Sequence, residues 1–137
     1  MADLLDKTTR ALAASADLRS LRQNVVTANI ANAETPGYSA RKLDFEEALG
    51  RALELEGVGD MKTSNERHYM GGAGSMANVR ADTYDNPDAS INNDGNTVDL
   101  EREMSTLAEN SLLYKAAIQL INKKLAALKY AAGEGGR

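Results

Sequence analysis

Apolar residues in the last third of the chain recur every seven positions along two interleaved columns. A helix with this repeat packs one stripe of its surface along a partner helix. Acidic residues open the segment and lysines close it, which matches the two ends of a helix dipole. The repeat predicts a C-terminal heptad helix over 97–132, capped by Asn96 or Thr97, and a glycine-rich tail over 133–137. The columns are Leu100, Leu107, Tyr114, Ile121 and Leu128, and then Met104, Ser111, Ile118, Leu125 and Ala132.

A weaker repeat of the same kind runs from the N-terminus. It predicts a seam helix over 1–32 whose apolar face is narrow, because alanine holds several of the stripe positions. A single helix with so narrow a face is not stable alone and needs a partner. Its columns are Leu4, Ala11, Leu18 and Val25, and then Ala14, Leu21 and Ala28.

The N-terminal repeat ends in the decapeptide NIANAETPGY at residues 29–38. Thr35 precedes a proline, which moves its backbone out of the helical region. Pro36 and Gly37 suit the second and third positions of a type II turn, because the third position needs a positive φ. The amides of Asn29 and Asn32 can satisfy loose backbone groups at a helix end. The decapeptide therefore predicts an elbow that stops the first helix.

Two further segments separate the long helices. The elbow loop belongs to residues 33–56, which also contain a short helix that starts at Phe45 with Asp44 as its N-cap. Residues 57–96 are rich in Gly, Asn and Asp and predict a flexible or small β insertion, with edge strands over 61–63 and 79–84. The glycine-rich patch at 71–74 lacks the lysine and hydroxyl residue of a phosphate-binding loop.

The composition indicates that the two long helices pack against partner chains. Aromatic residues make up 4% of the chain, with no Trp and one Phe. Large aromatic side chains dominate the burial of ordinary cores, so little material exists here for a compact globule. We predict a mainly α fold in which long N- and C-terminal helices pack as a coiled-coil-like pair, with a short irregular or small β segment between them. We also expect homo- and hetero-oligomeric assembly.

Charge and hydropathy exclude several kinds of partner. The net charge of -4 argues against a nucleic-acid binder, which needs a concentrated basic face. No run of 18 apolar residues exists, so no membrane insertion is expected. The first residues carry acids where a secretory signal carries bases, so no cleaved signal peptide is expected. The lack of cysteine excludes disulfides and thiolate metal sites.

No set of residues assembles an active site, so we predict no enzyme, no cofactor and no metal. His68 is the only histidine, and it has neither a nucleophile to activate nor a second histidine to share a metal. Residues 90–101 have the outline of a calcium loop, with Gly95 sixth and Glu101 twelfth. Ser90 stands where an acid is usual, so the sequence favours a turn at Asp94 that leads into a capped helix.

The decapeptide at 29–38 resembles the N-terminal signature of the bacterial flagellar rod, hook and hook-associated axial proteins. Four further stretches resemble the proximal rod subunits of that family. These are SARKLDF at 39–45, MKTSNERH at 61–68, DGNTVDLEREM at 94–104 and LAENSLLY at 107–114. The resemblance covers almost the whole chain.

This resemblance implies a structural role in the flagellar basal body. Subunits of the proximal rod assemble by their terminal helices into a helical tube around the export channel, and link the MS ring to the drive shaft for motility. The implied partners are the other proximal rod proteins, the small adaptor FliE and the MS ring. The implied route is the flagellar type III export apparatus, without a cleaved signal peptide, to the rod in the periplasmic space.

The residues expected to carry assembly come from both seams and from the elbow. Another proximal rod subunit of the same family is an alternative identity, and a self-contained helical adaptor domain in the cytoplasm is an alternative function. The predicted assembly residues are Leu18, Leu21, Val25, Asn29, Asn32, Pro36, Gly37, Tyr38, Met104, Leu107, Tyr114, Ile118, Ile121, Leu125 and Leu128.

Overall fold

The computed structural model describes residues 6–55 and 79–134, and these form a mainly helical fold with a small sheet, as predicted. The predicted strand at 61–63, the glycine patch at 71–74 and His68 lie outside these residues. The elements are α1 (Lys7–Ala31), β1 (Arg41–Asp44), α2 (Glu46–Leu55), β2 (Asp82–Asp85) and α3 (Leu100–Glu134).

The two long helices pack together in antiparallel directions, which confirms the predicted helix pair. Near the start of α1, the carboxylate of Asp6 pairs with the ammonium group of Lys124. Farther along, the side-chain amide of Asn110 donates to the carbonyl oxygen of Arg19 at 2.8 Å. These contacts tie the end of α3 to the start of α1 and fix the register of the pair.

Both ends of α1 are capped by side chains. Asp6 accepts a hydrogen bond from the backbone N–H of Thr9 at 2.8 Å, which satisfies one of the unpaired amides of the first turn. At the other end, the side chain of Asn32 donates to the carbonyl oxygen of Ala28 at 2.8 Å. The helix therefore stops at the elbow, where the sequence predicts that it should.

The elbow contains the predicted turn. The N–H of Tyr38 donates to the carbonyl oxygen of Thr35 at 3.3 Å. Gly37 has a φ of 70°, as the third position of a type II turn requires. The local chemistry of proline followed by glycine accounts for this bend.

β1 and β2 form a two-stranded antiparallel sheet in which Arg41 lies opposite Asp85 and Asp44 opposite Asp82. The sequence predicts a strand over 79–84 but not its partner, because residues 41–44 hold only one apolar side chain, Leu43. A strand this short and polar carries no alternation to detect.

The buried core lies between α1 and β1. It consists of Leu18, Leu43 and Phe45, with Val25 and Leu49 packed at its edge. The predicted apolar column of the N-terminal helix thus packs against the sheet and Phe45. Burial of these side chains supplies the hydrophobic stabilisation of this end of the molecule.

Two predicted helix caps are wrong. Asp44 ends β1, and its carboxylate accepts a hydrogen bond from the Tyr84 hydroxyl, so it does not cap α2. The cap of α3 is Asp99, which accepts from the N–H of Arg102 at 3.1 Å. Asn96 and Thr97 bond to the elbow instead, and those contacts keep them from the helix end.

Candidate assembly surface

Asn96 is the centre of the contacts that hold the elbow. Its side chain is fully buried. Its Nδ2 donates to the carbonyl oxygens of Asn32, Ala33 and Thr35 at 2.8–2.9 Å. Its Oδ1 accepts from the N–H of Val98 at 2.7 Å. The two N–H bonds of one side-chain amide are therefore shared among three partly buried carbonyl oxygens of the elbow.

Backbone contacts complete this link between the elbow and residues 94–97. The N–H of Gly37 donates to the carbonyl oxygen of Asp94 at 3.0 Å, and the N–H of Thr97 donates to the carbonyl oxygen of Tyr38 at 3.0 Å. The hydroxyl of Thr97 accepts from the N–H of Ala40 at 2.8 Å. We call these contacts, together with those of Asn96, the elbow lock. It joins the end of α1 to the segment that leads into α3.

Asn29 holds the other side of the elbow and is fully buried. Its Oδ1 accepts from the N–H of Arg41 at 3.0 Å and from the Tyr38 hydroxyl at 3.2 Å. Its Nδ2 donates to the carbonyl oxygen of Arg41 at 2.7 Å. The amide is thus engaged within the subunit, and it positions β1 against the last turns of α1.

An apolar groove lies between α1 and α3, and Val79 closes one part of it. Its volume is about 590 Å³. We call it the seam groove. Seam residues predicted from both ends of the sequence meet here, since Leu18 and Leu21 come from α1 and Ile121 and Leu125 from α3. The remaining lining residues are Thr9, Arg10, Ala13, Ala14 and Asp17.

The two sides of the α3 stripe differ in what they contact. The middle column, Leu107, Tyr114 and Ile121, is half-buried. One side of it holds Glu103, Asn110, Ala117 and Lys124, where Asn110 and Ala117 are buried; we call it the inner flank. The other side holds Met104, Ser111, Ile118 and Leu125; we call it the outer flank. Met104 is 56% exposed and Leu125 46%.

The remaining predicted assembly residues fall into two classes. The half-buried ones are Val25, Asn32, Tyr38 and Ile118. The exposed ones are Leu21, Pro36, Gly37 and Leu128. Sequence reasoning missed further exposed leucines of α3, which lie outside the two columns, and it missed Asn110, whose amide gives no hydrophobic signal. These leucines are Leu112, Leu113 and Leu120.

A cluster of charges surrounds the core beside the elbow. Arg22 forms two parallel hydrogen bonds to the Glu46 carboxylate at 2.5 and 2.6 Å, donates to the carbonyl oxygen of Leu43 at 2.9 Å, and lies 4.4 Å from the centroid of the Phe45 ring. Partial burial alone would raise the pKa of Glu46, but hydrogen bonds from Arg22 and the backbone outweigh it and lower the pKa to about 2. The arginine thus links α1, β1 and α2.

Two other carboxyl groups have shifted pKa values. The hydrogen bond from Lys124, with those from Thr9, lowers the pKa of Asp6 to about 2. Partial burial on the inner flank raises the pKa of Glu103. Both pKa shifts arise where the ends of α1 and α3 pack together, so they reflect packing within the subunit.

Within the described ranges, no three His, Asp or Glu side chains are grouped so as to hold a metal ion. In the calcium-like loop, Oδ1 of Asp94 accepts from the backbone N–H of Asn96 at 3.1 Å. Among the helices described, none has the length and hydropathy needed to cross a membrane. The surface features are therefore an apolar groove, an apolar flank and an elbow.

The chain is similar to known proteins along most of its length. A family model described as "Flagella basal body rod protein" matches residues 10–38, which span most of α1 and the elbow. The flagellar basal body rod protein FlgB of Aeromonas hydrophila is 37% identical over 111 residues, 81% of each chain. FlgB of Cereibacter sphaeroides is 41% identical over 111 residues, 81% of this chain and 82% of the relative. FlgB of Salmonella typhimurium is 37% identical over 131 residues, which cover 91% of this chain and 92% of the relative.

Proposed function

The chain belongs to the FlgB family of flagellar basal body rod proteins, and we propose that the seam groove and the outer flank are the surfaces by which it joins the rod. It is a structural subunit of the proximal rod and not an enzyme. Its terminal helices form the wall of a helical tube around the export channel, which links the MS ring to the drive shaft.

One observation carries this proposal: α1 leaves large apolar side chains of the outer flank exposed. Met104 is 56% exposed and Leu125 46%. Exposed apolar surface of this kind marks a protein–protein interface. In a helical tube the contacts are heterologous, because a patch on one subunit meets a different patch on the next. A groove beside an exposed apolar helix face suits such contacts.

The elbow lock fixes the angle between α1 and the segment that leads into α3, and a tube needs this angle to be the same in every subunit. It sets the direction in which the chain leaves α1 and the position from which α3 returns. Every subunit in a helical array must present the same angle between these segments, or the contacts do not repeat. Pro36 and Gly37 lie exposed at the tip of this rigid turn, where a neighbouring subunit can reach them.

The partners follow from the place of the subunit in the rod. They are other proximal rod proteins, the adaptor FliE and the MS ring. The chain reaches the rod, in the periplasmic space, through the flagellar type III export apparatus. The resemblance to proximal rod subunits and the apolar surface left uncovered on α3 support these assignments.

The test places a charge on the outer flank. Ile118→Asp and Leu125→Asp are each introduced into the full chain in a motile strain, with Gln119→Asp, an exposed position on the same helix, as the matched control. We expect the flank variants to be exported but to fail in rod assembly and swimming, while the control swims. Swimming zones, isolated basal bodies and immunoblots of exported chain are measured. Normal swimming by both flank variants would overturn the proposal.

A further inference from the structure

α3 can present either of two flanks to α1, and it presents the less apolar one. The inner and outer flanks lie about 100° apart around the helix with the middle column between them, so a rotation of α3 by about half that angle would centre the middle column on α1 and bring the outer flank toward it. That rotation would bury Met104 and Leu125 more deeply in place of Glu103 and Lys124, and so remove more apolar surface from water. Hydrophobic burial alone therefore does not fix the observed rotation.

Asn110 opposes that rotation. It is 2% exposed, and its Nδ2 donates to the carbonyl oxygen of Arg19 at 2.8 Å. This bond forms only when the inner flank faces α1. A single buried polar residue in a helix seam can specify register and orientation at the expense of stability. Among the described residues, Oδ1 of Asn110 has no hydrogen-bond partner, so burial of this amide costs free energy.

The other inner-flank residues favour the same rotation without determining it. Ala117 is buried, and its small side chain permits close approach of the helices. Lys124 pairs with Asp6, whose side chain is 60% exposed. Exposed ion pairs contribute little to stability. Glu103 forms a side-chain hydrogen bond with Asn29 of α1, which also holds the inner flank, but Asn110 is the inner-flank residue whose own polar side chain is buried.

We propose that Asn110 selects the rotation of α3 about its own axis, so that the outer flank, although Leu125 borders the seam groove, stays largely exposed and available to a neighbouring rod subunit. The second half of this statement rests on the proposed function. Asn110 acts here as a positioning residue: it keeps the outer flank from packing fully against α1 of its own subunit.

The test uses thiol labelling, because the chain contains no cysteine. Single reporters are Ala117→Cys on the inner flank and Met104→Cys on the outer flank, each in the purified full chain. The ratio of the two labelling rates, 104 over 117, reports the rotation of α3. The ratio is measured in the native background, in Asn110→Leu, in Asn110→Gln and in Asn122→Leu. The last variant makes the same change at an exposed position of the same helix.

We expect the native ratio to be well above one. In Asn110→Leu it should fall roughly fivefold, because the loss of one net hydrogen bond changes the equilibrium between the two rotations of α3 by about that factor. Asn110→Gln keeps an amide donor and Asn122→Leu leaves the seam intact, so both should retain the native ratio. Equal labelling rates in the native background would overturn the proposal. So would an unchanged ratio in Asn110→Leu, or a loss of helicity in that variant by circular dichroism.

Swimming of the same Asn110→Leu strain separates this inference from the proposed function. A shifted ratio with impaired swimming supports both halves of the proposal. A shifted ratio with normal swimming overturns the link between helix rotation and assembly, and leaves the test with Ile118→Asp and Leu125→Asp unaffected. Failure of those two variants to disturb the rod would overturn the proposed function whatever the labelling ratio.

Discussion

The side-chain nitrogen of Asn96 lies 2.8 Å from the carbonyl oxygen of Thr35, although 61 positions separate the two residues along the chain. Thr35 is the first residue of the elbow turn, and Asn96 precedes α3. The contact means that the bend at the end of α1 is completed by the second half of the sequence. The elbow and the approach to α3 therefore form one structural unit.

Removal of the Asn96 side chain should destabilise the subunit strongly. We expect Asn96→Ala to lower the free energy of unfolding by about 3 kcal/mol, because three partly buried carbonyl oxygens lose the amide group that they share. Asn93→Ala, at an exposed position of the same loop, should change it by less than about 0.5 kcal/mol. Urea denaturation at equal chain concentration measures both. Equal effects of the two substitutions would contradict the role given to Asn96.

The positive φ of Gly37 predicts opposite effects of alanine at two glycines. Gly37 has a φ of 70° with open space around it, whereas Gly50 lies within α2 and is equally open. Gly37→Ala should cost about 1 kcal/mol through the left-handed backbone, and Gly50→Ala should stabilise by about 0.5–1 kcal/mol through helix propensity. Thermal or urea unfolding measures whether each substitution raises or lowers the free energy of unfolding. A neutral Gly37→Ala would show that the turn is not needed for stability.

The bulkier Gly37→Val tests the turn in assembly. A β-branched residue tolerates a positive φ poorly, so we expect this variant to disturb the elbow and to reduce swimming below that of Gly50→Ala. Swimming zones and isolated basal bodies are the measurements. Normal rods built from Gly37→Val would show that the type II turn is dispensable in the rod.

The pair of Arg22 and Glu46 predicts a pH dependence. The pKa of Glu46 is lowered to about 2 from 4.5, so its contribution to stability is present above pH 4.5 and is lost as the pH falls toward 2. Glu46 is 54% exposed, and solvent screening reduces the contribution to about 1 kcal/mol. Glu46→Gln should therefore be less stable than the native chain at pH 6 and equal to it near pH 2. Glu47→Gln, whose parent side chain is 88% exposed, serves as the control, and its curve should follow the native one throughout.

Truncation of Phe45 separates stability from assembly. Phe45 is 2% exposed and belongs to the core cluster, whereas Met104 on the outer flank is 56% exposed. We expect Phe45→Ala to lower the free energy of unfolding by about 3–5 kcal/mol through the cavity it leaves. Met104→Ala should leave stability within about 0.5 kcal/mol of the native chain and act only on rod assembly. If Met104→Ala unfolded the subunit as readily as Phe45→Ala, the exposure of this methionine would not reflect a free assembly surface.

Local features of the sequence predict the long helices and the elbow. The heptad repeat of α3 is a periodicity that any window of the segment displays, and Pro36 followed by Gly37 restricts its own backbone. These are properties of neighbours along the chain. For the same reason the decapeptide at 29–38 could be matched to a family without any knowledge of the tertiary contacts.

Contacts between distant segments decided the rest. Asn96 is chemically suited to cap α3, but three elbow carbonyls compete for its amide. Residues 41–44 become a strand because β2 supplies a partner, and nothing in their own pattern predicts it.

The helix pair shows most clearly which features the local sequence determines and which depend on tertiary contacts. The repeat in the sequence determines that one stripe of α3 is buried, since period and hydrophobicity are local. It does not determine how α3 is turned within that stripe, because Leu125 and Lys124 border the same middle column. In our proposal that choice depends on the hydrogen bond from the amide of Asn110 to the backbone oxygen of Arg19, and only the folded molecule brings the two together.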